Sequence, residues 1–397
     1  MKLSIRSARI VPSPTLSITA KAKTMMAQGI GVIDFSAGEL AQDTPDFAKR
    51  GGEAAIQTGF TQYTPVPGTD ELRQAISDKF QRDQGVTYDK SQILVSCGAK
   101  HSLYNLFQAL IDPGDEVIIP TPYWVSYPDQ VLLADGTPVI LQTRESESHA
   151  IDPNALEACI TPKTKALILN SPNNPSGSIY TRATLRQVAA IAKKHKMLII
   201  SDEIYEKLVF GEPPFLSIVT VAPECIEQTV VVNGISKAYA MTGWRIGYAA
   251  GPKDLIAAMS KIQGQSTSNP TSISQKAALA ALNGGSAFFE EMVKDLRPKR
   301  DFVVEKLNAI SGVTCPTPSV AFYAYPNVAG LLGRRHSGGT ISTATDLAAY
   351  LLEKAHLACV PGEPFGSPSH LRLSYTPTIE VVQKGMERLR AAIDVLS

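Results

Sequence analysis

Short apolar runs alternate along the first 250 residues with longer segments in which apolar residues recur at helical spacing. The runs predict buried strands over 92–96, 116–119, 165–170, 197–201 and 227–232, and the spaced segments predict helices over 71–84, 101–111 and 182–196. Apolar strands joined by helices are typical of a parallel sheet covered on both faces. The pattern therefore predicts an α/β protein with a mostly parallel central sheet flanked by helices. In such sheets, ligands bind beyond the carboxyl ends of the strands.

The two ends of the chain have a mixed pattern. They predict helices over 16–28, 271–283, 286–309, 344–354 and 379–395, and strands over 32–35, 320–325 and 371–375. This mixture indicates a smaller α+β domain, and 397 residues exceed what one hydrophobic core usually supports. We expect a large domain over 46–285 and a small domain formed by 1–45 together with 286–397.

Charge and composition narrow the possible partners. The 38 basic and 37 acidic side chains nearly cancel and form no dense basic tract, so neither nucleic acid nor an anionic membrane is expected as a partner. No run of eighteen apolar residues and no apolar signal core occurs, so we expect a cytoplasmic protein. The five cysteines and six histidines are dispersed, which predicts neither a disulfide framework nor a metal site. We expect all five cysteines to be buried.

Residues with distinctive chemistry follow the predicted strands. Beyond the strand ends lie the 97–100 turn, Trp124, Asn174, Asp202 with Tyr205, and Lys237 with Arg245. A lysine amine can form a Schiff base with a carbonyl, and the planar fork of an arginine suits phosphate. Taken singly, each feature has an ordinary explanation, such as a solvated surface lysine or a core tryptophan. Because parallel strands end at one edge of the sheet, we expect these residues to lie on a single rim.

Together the rim residues match the requirements of pyridoxal phosphate. This cofactor needs an amine, an anion near its pyridine nitrogen, a phosphate cradle, donors to its phenolic oxygen and a cover for its ring. The rim supplies, in that order, Lys237; Asp202; the backbone at Gly98, Ala99 and Lys100 with Arg245; Asn174 with Tyr205; and Trp124. Arg372 lies in an apolar alternating run, where its charge needs a partner such as a ligand carboxylate. We therefore predict pyridoxal 5'-phosphate as the cofactor.

Four segments, 123–128, 170–177, 201–205 and 237–247, carry a resemblance to a known family. In them the chain resembles the fold-type I pyridoxal-phosphate aminotransferases, and within these the bacterial aspartate aminotransferase subgroup. The likeness runs from residue 12 to residue 375. It implies a ping-pong transamination of L-aspartate with 2-oxoglutarate, giving oxaloacetate and L-glutamate.

The resemblance also implies roles for individual residues. Lys237 would form the internal aldimine and then move a proton. Arg372 would bind the substrate α-carboxylate with help from Asn174 and the Gly38 amide, close to Trp124. Lys100 would bind the distal carboxylate of a dicarboxylic substrate, although a solvated lysine at a helix start is the ordinary alternative. Thr15 would lie near the substrate, and Tyr63 would reach the cofactor phosphate of a neighbouring subunit, which implies a homodimer.

The chain departs from the family pattern at Leu40-Ala41-Gln42, which replaces a proline and an aromatic residue, and at Val320, which replaces a glycine. Gly234 stands where some aminotransferases have a serine on the phosphate. The first two departures bear on substrate choice more than on chemistry. Prephenate or an aromatic 2-oxo acid is the alternative acceptor, since Thr15 with Lys100 also suits prephenate. A lyase or synthase on this scaffold is a second alternative, and a sensor domain of a transcription regulator is disfavoured because no basic helix pair is present.

Overall fold

The helices of the protein are seen in a computed structural model that describes residues 3–211 and 214–397. Within these residues the α-helices are α1 (Ile5–Ala8), α2 (Pro14–Ala27), α3 (Asp46–Gln57), α4 (Asp70–Gln84), α5 (Ala99–Leu110), α6 (Ser126–Leu133), α7 (Pro153–Cys159), α8 (Arg182–His195), α9 (Ile218–Val221), α10 (Lys253–Ser266), α11 (Ser272–Asn283), α12 (Ala287–Asn308), α13 (Ala344–Ala355) and α14 (Ile379–Asp394). Capping side chains and glycines set the ends of several of these helices. The Thr69 side chain caps α4, and Gly85 ends that helix with a φ of 69°.

The strands form one large sheet and three small ones. They are β1 (Ile33–Asp34), β2 (Ile93–Ser96), β3 (Glu116–Pro120), β4 (Thr137–Leu141), β5 (Thr164–Asn170), β6 (Leu198–Asp202), β7 (Thr229–Gly234), β8 (Gly247–Ala250), β9 (Tyr323–Ala324), β10 (Arg335–His336), β11 (Gly339–Thr340), β12 (Leu357–Ala358), β13 (Val360–Pro361) and β14 (Leu371–Ser374). The large sheet has the order β2-β8-β7-β6-β5-β3-β4. Only β8 runs antiparallel to its neighbours, so the predicted mostly parallel sheet is confirmed.

The sheet is buried on both faces, as its apolar strands predicted. In β6, Ile199 packs into a cluster with Ile76 and Leu167, whereas its neighbour Ile200 packs into a second cluster with Leu106 on the other face. A third cluster joins residues 33–40 and 205–210 to residues 292–396. Residues 205–210, which follow β6, therefore pack against the part of the chain after residue 292.

Most predicted elements are confirmed to within a few residues, and two predictions are wrong. The strand predicted over 320–325 is reduced to β9, because Ala321 has a φ of 62° and interrupts the extended run. Not all five cysteines are buried, since Cys97 and Cys159 are partly exposed. Cys97 belongs to the turn before α5, and Cys159 is the last residue of α7, where solvent reaches the chain. In the part of the chain that the structure describes, no helix has the length and apolar character needed to cross a bilayer.

Candidate functional site

The carboxyl ends of the central strands meet at one cavity. The ladder pairs Asn170 of β5 with Asp202 of β6, and Asp202 with Val232 of β7, so these strands end side by side. The cavity has a volume of ≈ 470 Å³. The predicted residues that line it are Thr15, Gly38, Ala99, Lys100, Trp124, Asn174, Asp202, Tyr205, Lys237, Arg245 and Arg372. The structure therefore brings the residues that the sequence placed on a single rim together around one cavity.

Lys237 lies in the loop after β7 with its amine turned into the cavity. Its Nζ donates a hydrogen bond of 2.5 Å to the carbonyl oxygen of Gly38. Burial lowers the pKa of Lys237 to about 8, and the positive charges of Arg372 and Arg245 act in the same direction. A large share of this amine is therefore neutral near pH 8, which is the form that acts as a nucleophile or accepts a proton.

Asp202 is the last residue of β6 and is 4% exposed. Its carboxylate accepts hydrogen bonds from the Tyr127 hydroxyl at 2.7 Å and from the backbone N–H of Ile204 at 3.2 Å. Burial raises the pKa of Asp202 to about 6, while these two hydrogen bonds and the charge of Lys237 oppose the rise. Above that pH the side chain is a buried anion that lines the cavity. The sequence did not reveal Tyr127 as its partner, although Tyr127 lies in the 123–128 segment.

Gly98 is a predicted site residue that does not itself line the cavity, but it lies against Arg245, which does. Gly98 has a φ of 91° and precedes α5, whose first N–H groups are free to bind an anion. A Cβ atom at Gly98 would lie 2.3 Å from Nη2 of Arg245, and one at Gly247 would lie 2.1 Å from the backbone nitrogen of Ala99. The absence of side chains at these two glycines therefore lets the arginine and strand β8 approach the turn. Nη2 of Arg245 donates to the Cys97 carbonyl at 3.3 Å, which aims the guanidinium at this place.

Arg372 is 3% exposed and also lines the cavity. Its Nη1 donates to Oδ1 of Asn174 at 3.0 Å, and its Nη2 donates to the carbonyl of Ser36 at 2.9 Å. The guanidinium carbon lies 4.5 Å from the ring centre of Tyr323. Among the described residues, Nε of Arg372 has no hydrogen-bond partner. The guanidinium also has no carboxylate within ion-pair distance in that part of the chain. A buried guanidinium with spare donors, facing a cavity, suits a ligand carboxylate.

Lys100 lies at the start of α5 and contributes a second cation. Its Nζ is 4.8 Å from the ring centre of Trp124, and no ion-pair partner for it occurs among residues 3–211 and 214–397. Burial lowers the pKa of Lys100, and the charge of Arg245 adds to this effect. Lys100 and Arg372 are therefore two unpaired cations that line the same cavity as Lys237.

Tyr205 contacts a residue that the sequence did not single out. Its hydroxyl lies 3.0 Å from that of Tyr323, and a Cβ atom on Gly38 would lie 3.3 Å from the same Tyr323 oxygen. Tyr323 belongs to an apolar stretch, so its hydroxyl gave no signal of a site. Ser36 was also missed, although it accepts from Arg372 and bonds the Thr19 hydroxyl at 2.9 Å.

The remaining predicted positions lie elsewhere. Tyr63 is 90% exposed and is not among the lining residues, so within one chain it does not join the site. The departures at residues 40–42 and 320 also lie outside the lining. Leu40 is buried in the third cluster, Gln42 donates to Asp295 at 2.7 Å, and Val320 is fully buried.

Comparison with known proteins agrees with this geometry. Residues 30–389 match the family described as Aminotransferase class I and II. The chain is 47% identical over 392 residues to an aspartate aminotransferase of Geobacillus stearothermophilus, with 98% of each chain covered. It is 45% identical over 396 residues to an aspartate/prephenate aminotransferase of Nitrosomonas europaea, covering 99% of this chain and 100% of the other.

A solved structure shows the same fold. The aspartate aminotransferase from Rhizobium meliloti superposes with a TM-score of 0.96 at 44% identity, and 100% of both chains is covered. The α/β fold with its mostly parallel sheet is therefore that of the fold-type I aminotransferases, as the resemblance implied. The family match over 30–389 and the relatives that cover nearly the whole chain show that this protein belongs to the class I and II aminotransferase family.

Proposed function

We propose that this aminotransferase uses pyridoxal 5'-phosphate to transfer the amino group of L-aspartate to 2-oxoglutarate, giving oxaloacetate and L-glutamate. The observation that carries the proposal is the joint placement of Lys237, Arg372 and Lys100 around one cavity. Two cations without an ion-pair partner that line the same cavity as a reactive amine suit a substrate with two carboxylates. The names of the relatives from G. stearothermophilus and R. meliloti support the same substrate.

The residues present fit pyridoxal phosphate. Arg245 with the α5 N-terminus would hold its phosphate, and the Gly98 position leaves room for that contact. Asp202, a buried anion above pH 6, would pair with the pyridine nitrogen. Asn174 and Tyr205 would hold the phenolic oxygen, and Trp124 would cover the ring. When bound, this cofactor supplies an aldehyde for the amino group and a ring that accepts the electron pair released at the substrate Cα.

The chain's own groups would handle the proton and the substrate. Lys237, whose pKa near 8 leaves much of it neutral, would take the proton from the substrate Cα and deliver it to C4′, the aldehyde carbon of the cofactor, and would move a proton the opposite way for the acceptor. Arg372, with Asn174 and the Gly38 amide, would hold the α-carboxylate so that the Cα–H bond faces that amine. Lys100 would hold the second carboxylate beside Trp124.

The test is an absorbance spectrum of the purified protein with pyridoxal phosphate, before and after L-aspartate, alongside Lys237→Ala. We expect a visible cofactor band that aspartate removes as oxaloacetate forms, and that the variant does not convert. A band that ignores aspartate would exclude the dicarboxylate assignment but keep the cofactor. No band with added pyridoxal phosphate would exclude the cofactor as well.

Prephenate is a second candidate acceptor, supported by the position of Thr15 on the same cavity as Lys100 and Arg372. The N. europaea relative is named an aspartate/prephenate aminotransferase. Competition between prephenate and 2-oxoglutarate, with L-aspartate as the donor, separates the two. Equal or better use of prephenate would make it the preferred acceptor.

A homodimer is part of the proposal. Its support is the 90% exposure of Tyr63, which leaves its hydroxyl free to reach the cofactor phosphate of a second subunit. Sedimentation at equilibrium would give the subunit count. Mixing Tyr63→Phe subunits with Lys237→Ala subunits would show whether phosphate binding is shared, because only a shared site changes cofactor affinity in the mixed species.

The division into a large domain over 46–285 and a small domain over 1–45 and 286–397 stays a proposal. It is supported by two clusters whose buried residues all lie within 48–282, and by the third cluster, which draws mainly on 33–40 and 292–396. Cytoplasmic location and the absence of a nucleic-acid partner remain predictions from the sequence.

A further inference from the structure

A buried acidic cluster lies behind the turn that carries Asp202 and Tyr205. It contains Glu203, 1% exposed, and Glu206, 8% exposed. Neither lines the cavity, whereas Asp202 and Tyr205 both do. We propose that Glu203 is a positioning residue for the reaction, whose buried carboxylate anchors this turn so that Asp202 and Tyr205 face the cofactor. The inference rests on the proposed roles of those two residues.

The side chains of Asp202 and Glu203 lie on opposite sides of the turn, as successive residues at a strand end do. Oε1 of Glu203 accepts hydrogen bonds from the hydroxyls of Ser201 at 2.9 Å and Ser217 at 2.6 Å. Oε2 accepts from Nε2 of Gln84 at 2.9 Å. The carboxylate thereby ties the turn to α4 and to the segment before α9.

Backbone bonds continue this anchoring. The Glu203 N–H donates to the Val232 carbonyl at 2.9 Å, and the Glu206 N–H donates to the Glu203 carbonyl at 3.0 Å. Val232 is in β7, the strand that leads to Lys237. Glu203 therefore lies where the turn that follows Asp202 meets the strand that leads to Lys237.

A simple ion pair does not account for Glu203. Lys79, 3% exposed, forms its close contact with Glu206, and within the described ranges no cation lies within 4.0 Å of the Glu203 carboxylate. Its direct partners are two hydroxyls and an amide, which fix geometry without neutralising charge. Burial and the charge of Glu206 raise the pKa of Glu203 to about 7, with Lys79 opposing. A buried charge without a cation beside it costs folding free energy. Stability alone therefore does not explain Glu203, whereas its hydrogen bonds hold the turn in position.

We expect removal of the Glu203 side chain to lower the reaction rate by more than its effect on the stability of the fold explains. Misplacement of a catalytic group by about 1 Å can lower a rate on the order of 100-fold. For the holoenzyme of Glu203→Ala we expect kcat for aspartate to fall by about 10- to 100-fold with a small change in KM, because Arg372 and Lys100 still bind substrate. The pH midpoint of the bound cofactor's absorbance should also shift, since that midpoint responds to how closely Asp202 approaches the ring nitrogen.

The matched control is Gln228→Ala. Gln228 donates to the carbonyls of Ala192 at 3.1 Å and Met197 at 2.9 Å, near the amino end of the same sheet. Its loss removes two part-buried hydrogen bonds, against three for Glu203, at a residue that does not line the cavity. Ser217→Ala, which removes only the 2.6 Å bond, should give a smaller change in the same direction as Glu203→Ala and keeps the test open if the latter does not fold.

The double variant Glu203→Ala with Asp202→Asn completes the test. If Glu203 acts through Asp202, the double variant should be no slower than Asp202→Asn alone. Unchanged kcat and spectral midpoint in Glu203→Ala and Ser217→Ala, with stability loss like that of Gln228→Ala, would overturn the inference. The wild type, measured in parallel, separates this from failure of the proposed function: a wild type without cofactor band or activity would overturn both.

Discussion

The amine of Lys237 and the carbonyl of Gly38, 199 residues apart in the chain, are joined by a 2.5 Å hydrogen bond. It connects the loop after β7 to the segment after β1, and both residues line the cavity. The neighbouring Ser36 carbonyl accepts from Arg372, so this short segment contacts both the amine and the guanidinium. Residues 36–38 therefore set the distance between the group proposed to move the proton and the group proposed to hold the substrate.

The pH dependence of cofactor uptake should follow Lys237. Its pKa is lowered from 10.5 to about 8, so the reactive neutral amine is scarce at pH 6.5 and abundant at pH 9. The rate at which the apoenzyme acquires the visible band should rise through pH 8 and then level off. A stopped-flow series with pyridoxal phosphate measures this. A rate that is flat from pH 6.5 to 9 would contradict the assigned pKa.

Asp202→Asn should stabilise the apoenzyme while abolishing most activity. The pKa of Asp202 is raised in the folded state, so the folded protein binds a proton more tightly than the unfolded chain, and stability falls as pH rises from about 4 to 6. Asparagine removes this penalty but can accept only one of the two hydrogen bonds. We expect a net gain of about 1–2 kcal/mol above pH 6 in urea unfolding. The gain should disappear near pH 4, and a loss of stability at pH 7 would contradict the prediction.

Gly98→Ala should weaken cofactor binding. The new Cβ would lie 2.3 Å from Arg245 and would also strain a residue with a φ of 91°. We expect the dissociation constant for pyridoxal phosphate to rise by about 10- to 100-fold, as expected for a displaced charge-assisted contact. Gly114→Ala is the matched control, because Gly114 has a φ of 93° but nothing within 4 Å of its added Cβ. Equal effects in both variants would attribute the loss to backbone strain.

Lys100→Ala should change substrate choice more than chemistry. We expect kcat/KM for L-aspartate to fall by about 10- to 100-fold, because a carboxylate loses its partner in a partly desolvated site. The rate with L-alanine, which has no second carboxylate, should change less than about threefold by the same reasoning. Steady-state kinetics with both donors gives the ratio. If both fall together, Lys100 acts on the cofactor.

Arg372→Lys should raise KM for amino donors. A lysine cannot reproduce the two fixed contacts to Asn174 and Ser36 while also reaching a carboxylate. We expect a loss in kcat/KM of about 10- to 100-fold for aspartate and alanine alike. Arg300→Lys is the control, since Arg300 lies against Phe210 outside the cavity. A selective loss with aspartate alone would exchange the roles of Arg372 and Lys100.

The sequence predicted those site residues that follow the ends of strands. Asp202, Asn174 and Lys237 follow apolar runs that predict buried parallel strands. Because the carboxyl ends of such strands meet at one edge of the sheet, the sequence already predicts these side chains on one rim. Tyr127 and Tyr323 could not be found this way, because an aromatic in an apolar stretch gives the same signal whether or not its hydroxyl faces a cavity. The five cysteines were predicted to be buried from their number and spacing. The same pattern already placed Cys97 in the 97–100 turn, where solvent reaches it, whereas Cys159 ends a helix that the pattern did not predict.

The sequence alone determined the alternation of strands and helices, the mostly parallel sheet and the chemical identity of the groups at its edge, because local periodicity and burial dictate these features. Only the tertiary structure decided which groups touch. The antiparallel insertion of β8, the approach of Arg245 to Gly98, and the bond between Lys237 and Gly38 all join residues far apart in the chain. Such contacts depend on how whole helices and strands pack, and a local pattern of residues does not determine which distant residues meet.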